Sequence, residues 1–142
     1  MRIEELINKD VRVGIYCRTK KMPFEQHSGI ELLKADYLRS VEMWGWKKSE
    51  FYLDEGRSSE SLEKLISECV AGHIDLVMTR STVELNRDFT EVVALADKLS
   101  SLAQPVGIYF QQGSVFTLDD YWQQYVSAFI RLAVEESENK SR

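Results

Sequence analysis

Short apolar runs recur along the chain, and each has the length and the β-branched content of a strand. Between these runs, apolar residues return every three or four positions, which is typical of helices that bury one face. The predicted strands cover residues 11–17, 51–53, 74–78 and 106–110, with a short edge strand at 114–116, and the predicted helices cover residues 29–44, 62–70, 89–102 and 118–138. This alternation predicts a three-layer α/β domain with a mostly parallel sheet of four or five strands and a long C-terminal helix.

Charged side chains directly follow the first and third predicted strands. Arg18 and Lys20 come at the end of the first strand, and the charged segment 79–88 follows the third. In an open parallel sheet, ligands bind beyond the carboxyl ends of the strands. We therefore expect both charged segments to lie at one edge of the sheet, and that edge to hold the functional site.

The size and the charge of the chain limit its function. Its 142 residues are predicted to form one domain, in which residues 1–10 are an amphipathic lead-in. The net charge is −5, whereas proteins that bind nucleic acid on their own are usually basic because they neutralise phosphates. Contact with DNA is therefore expected to be weak and local, or to come from another domain or subunit.

The sequence predicts no metal site, no cofactor and no membrane segment. Asp54 and Glu55 form an acidic turn, but no histidine or third carboxylate joins them at a metal-binding spacing. Cys17 and Cys69 lie far apart in apolar runs and are expected to be buried free thiols in a reducing compartment. Without a signal peptide or a long apolar run, the protein is expected to be cytoplasmic.

Six features, taken in order, resemble the catalytic domain of the serine recombinases, the resolvase/invertase family. The family's first strand ends in Tyr-x-Arg-Val-Ser, where residues 16–20 read YCRTK, and a helix that starts near a serine follows in both. The family's next strand runs into Asp-x-Gly-x-Ser, which residues 54–58 match as DEGRS. The other matches are the Gly-x-Ile-Asp segment at 72–75, the segment 83–87 in place of an arginine pair, and the long final helix. The resemblance spans residues 11–138 and implies a resolvase-like fold with a flavodoxin-like arrangement, without the DNA-binding domain that follows the long helix in the family.

The residues that carry the chemistry of the family differ in this chain. In the family, a serine hydroxyl attacks a DNA phosphate, and arginines bind that phosphate and stabilise the developing charge. Lys20 occupies the position of the serine, and Glu84 occupies that of the first arginine of the pair. An ammonium group cannot replace the hydroxyl in this step, and a carboxylate should repel the phosphate. The resemblance thus implies a domain of DNA recombination that keeps the fold and has lost strand cleavage.

Three basic residues remain as candidates for contact with a DNA phosphate, namely Arg18, Lys20 and Arg87. Each also has a plainer interpretation. Arg18 could be a solvated charge at a strand end, Lys20 could pair with Glu84, and Arg87 could form a salt bridge where a helix begins.

The final predicted helix has more apolar surface than one face of a sheet can cover. We expect it to be partly core and partly an interface, through which the chain assembles with itself or with an active recombinase. The interface candidates are Tyr121, Trp122, Tyr125, Phe129 and Leu132.

Two alternative functions remain open. In the first, the chain is an active recombinase whose nucleophile has moved to Thr19 or Ser28, although a shift of one residue along a strand turns the side chain to the opposite face. Ser58 and Ser59 are expected to cap a helix instead, because no base lies near them in the sequence. In the second, the chain is a small α/β binding module unrelated to DNA, an arrangement that serves many functions, although no glycine-rich phosphate loop supports it.

Overall fold

A five-stranded sheet forms the centre of the fold. The computed structural model describes residues 1–20 and 27–140, and for residues 27, 28 and 140 it describes the backbone alone. The strands are β1 (Arg12–Thr19), β2 (Lys48–Glu55), β3 (Leu76–Thr79), β4 (Gly107–Phe110) and β5 (Val115–Phe116). They lie in the order β2-β1-β3-β4-β5, in which the first four are parallel to their neighbours and β5 runs antiparallel to β4. The mostly parallel sheet and its short edge strand are confirmed.

Helices follow the strands in the predicted alternation. They are a 3-10 helix (Ile3–Leu6) within the lead-in, α1 (His27–Met43), α2 (Glu60–Val70), α3 (Thr82–Leu85), α4 (Phe89–Ser100) and α5 (Tyr121–Lys140). The pattern did not predict α3, because four residues are too few to show a helical spacing.

Helices cover both faces of the sheet, so the domain has the three predicted layers. On one face, α1 and the 3-10 helix bury apolar side chains such as Tyr37, Val41 and Ile3 against β1 and β3. On the other face, α2, α4 and α5 form a second core, to which they contribute Leu65, Cys69, Val92, Ala96, Leu99, Trp122 and Val126. The side chains of β1 enter the two cores alternately, as the pleat of a strand requires.

Gly14 in the middle of β1 sets how closely α2 lies on the sheet. A Cβ atom at this position would overlap with the Leu65 side chain of α2. The absence of a side chain therefore lets Leu65, at the centre of α2, pack directly on β1.

The bounds of β1, β2 and the long C-terminal helix differ from the prediction for physical reasons. β1 and β2 pair along their whole length, so both are longer than predicted, because backbone pairing extends a strand through polar residues that interrupt its apolar pattern. The long helix begins at Tyr121 rather than at residue 118, since the Asp119 carboxylate accepts the N–H of Tyr121 at 3.0 Å and so starts the helix there.

Candidate functional site

The carboxyl ends of β1 and β3 lie side by side, where the order of the strands changes direction. The chain moves from β1 to β2 on one side and then crosses to β3 on the other. Ligands of open α/β sheets bind beyond the strand ends at such a switch point. β1 ends in Arg18 and Thr19, and β3 leads into α3, which carries Glu84 to the end of β1. The two charged segments of the sequence therefore meet at one edge, as predicted.

Glu84 contacts Arg18 instead of Lys20. The Oε2 atom of Glu84 accepts the backbone N–H of Arg18 at 2.9 Å, and the Glu84 carbonyl oxygen accepts the Nε–H of Arg18 at 3.1 Å. Lys20 is exposed, and among the described residues no ion pair joins it to Glu84. The interpretation of Lys20 and Glu84 as a pair is thus wrong, because the backbone N–H is a fixed donor that needs no long side chain to be ordered.

The guanidinium group of Arg18 links β1 to the loop between β2 and α2. Its Nη1 atom donates to the carbonyl oxygens of Gly56 at 3.0 Å and Ser58 at 2.6 Å, and its Nη2 atom donates to the Ser59 hydroxyl at 3.4 Å. Gly56 has a φ of 61°, which glycine adopts without strain. The turn brings the Gly56 N–H to the carbonyl oxygen of Thr19 at 2.7 Å. Arg18 is therefore fixed between this loop and α3.

Asp54 is a buried cap for α2 rather than part of an exposed turn. It is 2% exposed, and its carboxylate accepts the Tyr16 hydroxyl at 2.8 Å. It also accepts the backbone N–H groups of Ser61 and Leu62, at 2.9 and 3.0 Å, in the first turn of α2. Burial and the Asp54 carboxylate raise the pKa of Tyr16 above its ordinary value of 10.0, so the hydroxyl stays protonated and donates. This network fixes the start of the loop that holds Arg18.

The prediction that Ser59 caps α2 is therefore wrong. Ser59 occupies the N-cap position, but its side chain makes no capping hydrogen bond. The Asp54 carboxylate already accepts two of the first N–H groups of the helix, so the Ser59 hydroxyl is left to face Arg18. This puts one hydroxyl beside a guanidinium group at the candidate site.

Three arginines line a cleft of about 310 Å³ between this loop and α3. They are Arg18, Arg57 and Arg87, and the other lining residues, Gly56, Ser59, Leu62, Val83, Leu85 and Asn86, are uncharged. Arg57 and Arg87 are exposed, and no ion pair within the described part of the chain engages them. Guanidinium groups gathered in this way attract anions, and their planar donors suit phosphate or carboxylate groups.

The structure brings together two of the three predicted contact residues and adds one that the sequence did not indicate. Arg18 and Arg87 share the cleft, whereas Lys20 is not among its lining residues. Arg57 was missed, because the motif match considered only Asp54, Gly56 and Ser58 of its loop. The available signal was the position of Arg57 just beyond a strand end, where ligands of such sheets bind.

The Thr19 hydroxyl does not face the cleft. Thr19 follows Arg18 on β1, so its side chain points to the opposite face of the sheet. Its Oγ1 atom is buried and has no hydrogen-bond partner among the described residues. This geometry disfavours Thr19 as a displaced nucleophile. The side chain of Ser28, the other residue considered for that role, lies outside the described residues.

Both cysteines are buried free thiols, as predicted. Burial raises the pKa of Cys17 to about 11 and that of Cys69 to about 12. Within residues 1–20 and 27–140, no group of three or more histidine, cysteine, aspartate or glutamate side chains is placed to hold a metal ion. Of the helices described, none has the length and apolar character needed to cross a membrane.

The first turns of α5 belong to the core of the domain. Trp122 and Val126 are 3% and 8% exposed, and the Trp122 ring packs near Phe110 of β4, with centroids 6.1 Å apart. Phe129 packs against Phe89 of α4 at a centroid distance of 3.9 Å. Trp122 is thus a core residue, and its prediction as an interface residue is corrected.

The rest of α5 extends away from the domain. Residues 127–139 are all exposed, and several are large and apolar. The four other predicted interface residues keep accessible surface, with exposures of 72% for Tyr121, 37% for Tyr125, 42% for Phe129 and 61% for Leu132.

Comparison with known proteins identifies the fold. No protein-family model matches the sequence, and no curated protein matches it. Among solved structures, the N-terminal catalytic domain of TP901-1 integrase matches with a TM-score of 0.66 and 18% identity, over 92% of this chain and 98% of that one.

Two further solved structures match the same fold. A resolvase family site-specific recombinase from Streptococcus pneumoniae matches with a TM-score of 0.72 and 13% identity, over 93% of each chain. The C-terminal catalytic domain of ISC1926 TnpA, an IS607-like serine recombinase, matches with a TM-score of 0.56 and 20% identity, over 86% of this chain and 80% of that one. The fold of this chain is therefore that of the catalytic domains of serine recombinases.

Proposed function

We propose that this chain is a resolvase-like domain that acts in DNA recombination as an assembly partner or regulator and does not cleave DNA strands. The observation that carries the proposal is the contact of the Glu84 carboxylate with the backbone N–H of Arg18. It puts a negative charge at the edge where the resemblance places the scissile phosphate. The carboxylate and the oxyanion that develops during cleavage carry charge of the same sign, so their repulsion disfavours cleavage.

The residue at the nucleophile position supports the same proposal. Lys20 follows β1 directly and is exposed. A lysine ammonium group has no lone pair with which to attack phosphorus. Lys20 is suited to attract a phosphate, but not to form the phosphoserine link of the family.

The arginine cleft supports a local contact with DNA. Arg18, Arg57 and Arg87 line a space of about 310 Å³, and none of the described lining residues is a carboxylate, which suits one backbone phosphate. The net charge of −5 keeps the affinity of the isolated domain low. DNA contact by this chain is therefore expected mainly within an assembly in which another subunit or domain supplies the rest of the interface.

The exposed part of α5 supports assembly. Residues 127–139 span about 20 Å of helix and are all exposed, although Phe129 keeps its contact with Phe89. A helix of this length with so little support from the domain is marginal in water. A row of apolar side chains at helical spacing, formed by Tyr125, Phe129 and Leu132, is exposed by 37%, 42% and 61%. Packing against the same helix of a second copy, or of an active recombinase, would cover these side chains.

Assembly is tested by the particle mass in solution, measured alone and after mixing with an active recombinase from the same source. Leu132→Glu should shift the mass toward that of the monomer, because it places a charge in the apolar row. Gln123→Glu is the matched control, since it adds the same charge at another exposed position of α5, and it should leave the mass unchanged. A wild-type chain that stays monomeric both alone and in the mixture contradicts the assembly role.

Loss of cleavage is tested by searching for a covalent link to DNA in the cells that make the protein. The protein is isolated under denaturing conditions and treated with nuclease, and its peptides are searched by mass spectrometry for a nucleotide remnant on a serine or threonine. An active serine recombinase from the same cells serves as the positive control. We expect no remnant on this chain, and a remnant on any hydroxyl contradicts the proposal.

The same experiment tests a second candidate function, an active recombinase with a displaced nucleophile. The observation that favours this function is the Ser59 hydroxyl, which lies 3.4 Å from Arg18 Nη2 inside the arginine cleft. Against it, the described residues that line the cleft include no carboxylate or histidine to take the proton of the hydroxyl. A remnant on Ser59 that disappears in Ser59→Ala would establish this second function.

A further inference from the structure

Glu84 and a phosphate group would compete for the same donors. The backbone N–H at the end of β1 points to Glu84 Oε2 at 2.9 Å, and the Nε–H of Arg18 is held by the Glu84 carbonyl oxygen at 3.1 Å. Fixed backbone N–H groups and guanidinium groups are the donors that proteins use to bind phosphate oxygens. We propose that the Glu84 side chain is a tethered anion that occupies the backbone N–H donor of Arg18 and repels other anions, so that the arginine cleft binds phosphate weakly until this carboxylate is neutralised or displaced.

The hydrogen bonds of Arg18 show how few donors are left for a ligand. A guanidinium group has five N–H donors. In Arg18, the Nε donor binds Glu84, the Nη1 atom binds two carbonyl oxygens, and one Nη2 donor faces the Ser59 hydroxyl at the long distance of 3.4 Å. Within the described part of the chain, one Nη2 donor is therefore all that Arg18 leaves unpaired for a ligand in the cleft. Without Glu84, the backbone N–H of Arg18 would be open as well.

The charge of Glu84 acts in the same direction. The side chain is only partly exposed, so water screens its charge less than it screens a surface carboxylate. After burial, its field is the next cause that raises the pKa of Cys17, and it adds a smaller contribution to the raised pKa of Tyr16, behind burial and the Asp54 carboxylate. A phosphate that enters the cleft is attracted by Arg57 and Arg87 and repelled by Glu84. Removal of this one charge should therefore strengthen binding.

The inference rests on the proposed role of the cleft as a phosphate site, but it makes a separate prediction about affinity. The test measures the dissociation constant of inorganic phosphate by isothermal titration for three proteins: the wild type, Glu84→Gln and Glu42→Gln. Glu84→Gln removes the charge but keeps a side-chain oxygen that can accept the Arg18 N–H. Glu42→Gln removes the same charge from an exposed position on α1, which lies on the other face of the sheet.

We expect Glu84→Gln to bind phosphate at least about tenfold more tightly than the wild type, and Glu42→Gln to match the wild type. In Glu84→Ala, which leaves the backbone N–H of Arg18 without this acceptor, the amide resonance of Arg18 should also shift with phosphate, which it should not do in the wild type. The titration is then repeated with a short DNA duplex, which distinguishes a site for the phosphates of the DNA backbone from a site for free phosphate. A gain with both ligands supports a site for the DNA backbone, whereas a gain with inorganic phosphate alone restricts the inference to a site for free phosphate.

Equal affinities of Glu84→Gln and the wild type would overturn the inference, and so would an equal gain in Glu42→Gln, because net charge would then explain it. Thermal unfolding of both variants shows whether each is folded. If Glu84→Gln does not fold, Glu84→Ala takes its place, with the same expected gain. These outcomes are independent of the covalent-link experiment, so a failure of this inference is distinct from a failure of the proposed function.

Discussion

At each end of β1, an arginine of the strand contacts an acidic residue from another segment, but the two arginines form different hydrogen bonds. At the amino end, Arg12 donates its backbone N–H to the Asp75 carboxylate at 2.9 Å, and its Nε and Nη2 atoms bind the same carboxylate at 2.9 Å each. At the carboxyl end, Arg18 also donates its backbone N–H to a carboxylate, that of Glu84, at 2.9 Å. There, however, the guanidinium group binds carbonyl and hydroxyl oxygens instead.

This difference separates a structural ion pair from a candidate binding site. Two parallel hydrogen bonds between a guanidinium and a carboxylate neutralise both groups, and the bond with Arg12 holds the pKa of Asp75 below its ordinary value of 3.8. A guanidinium that is held by neutral oxygens keeps its charge and is fixed in place. Arg18 is of this second kind, and it lies at the switch point of the sheet together with Arg57 and Arg87.

The largest effect is expected at the carboxyl end, from Asp54→Ala. This change leaves the buried Tyr16 hydroxyl and the N–H groups of Ser61 and Leu62 without their acceptor. Each buried donor without a partner costs about 1–3 kcal/mol, so the free energy of unfolding should fall by about 3 kcal/mol or more in urea titrations. Tyr16→Phe, which removes one hydrogen bond of the same network, should cost about 1 kcal/mol. Equal decreases in the free energy of unfolding of Asp54→Ala and Tyr16→Phe would show that the hydrogen bonds from α2 to Asp54 do not stabilise the carboxyl end of the sheet.

A smaller effect is expected at the amino end, from Asp75→Asn. The side chains of Arg12 and Asp75 are 37% and 34% exposed, and ion pairs with this much access to water contribute about 0.5–1 kcal/mol. Because the pKa of Asp75 is lowered in the folded state, this contribution is present above about pH 4 and is lost as the pH falls through the folded-state pKa.

The pH dependence of the stability difference distinguishes the loss of an ion pair from a change in side-chain packing. Urea midpoints of the wild type and Asp75→Asn should differ at pH 7 and converge in acid, as the pH falls through the lowered folded-state pKa of Asp75. Glu42→Gln removes an exposed carboxylate on α1 and serves as the control for general charge effects. A difference in urea midpoint between the wild type and Asp75→Asn that is independent of pH would contradict the assignment of Arg12 and Asp75 as a structural ion pair.

The smallest effect is expected from Lys20→Ser, which restores the residue type of the family at the nucleophile position. Lys20 is exposed, so the stability should change by less than about 0.5 kcal/mol. We also expect no nucleotide remnant on the introduced hydroxyl, because Glu84 still holds the donors of Arg18. A remnant in the single variant would show that the carboxyl end lacks only its nucleophile.

The sequence was sufficient to predict the layers of the fold and the edge that carries the candidate site. Apolar spacing located the four main strands, and the motif around Arg18 placed the first of them beside the charged segment 79–88. The helix α3 and the full length of β2 were not predicted, because a single turn has no period and because pairing with β1 extends β2 through polar residues.

The contacts within the site were harder to predict, because they depend on which donor each carboxylate reaches in space. Asp54 had the sequence context of an acidic turn, yet it is buried under α2 and caps it. Glu84 was considered as a partner of Lys20, whereas α3 directs it to the backbone of Arg18. Arg57 joins the cleft only because its loop folds back to β1.

The most direct test of the difference between the two ends is a titration of the wild-type protein with inorganic phosphate, followed through the Nε–Hε resonances of its arginines. We predict saturable shifts for Arg57 and Arg87, and no shift for Arg12, because Asp75 already neutralises it. Shifts of Arg12 as large as those of the cleft arginines, or no shift in the cleft at all, would contradict the account.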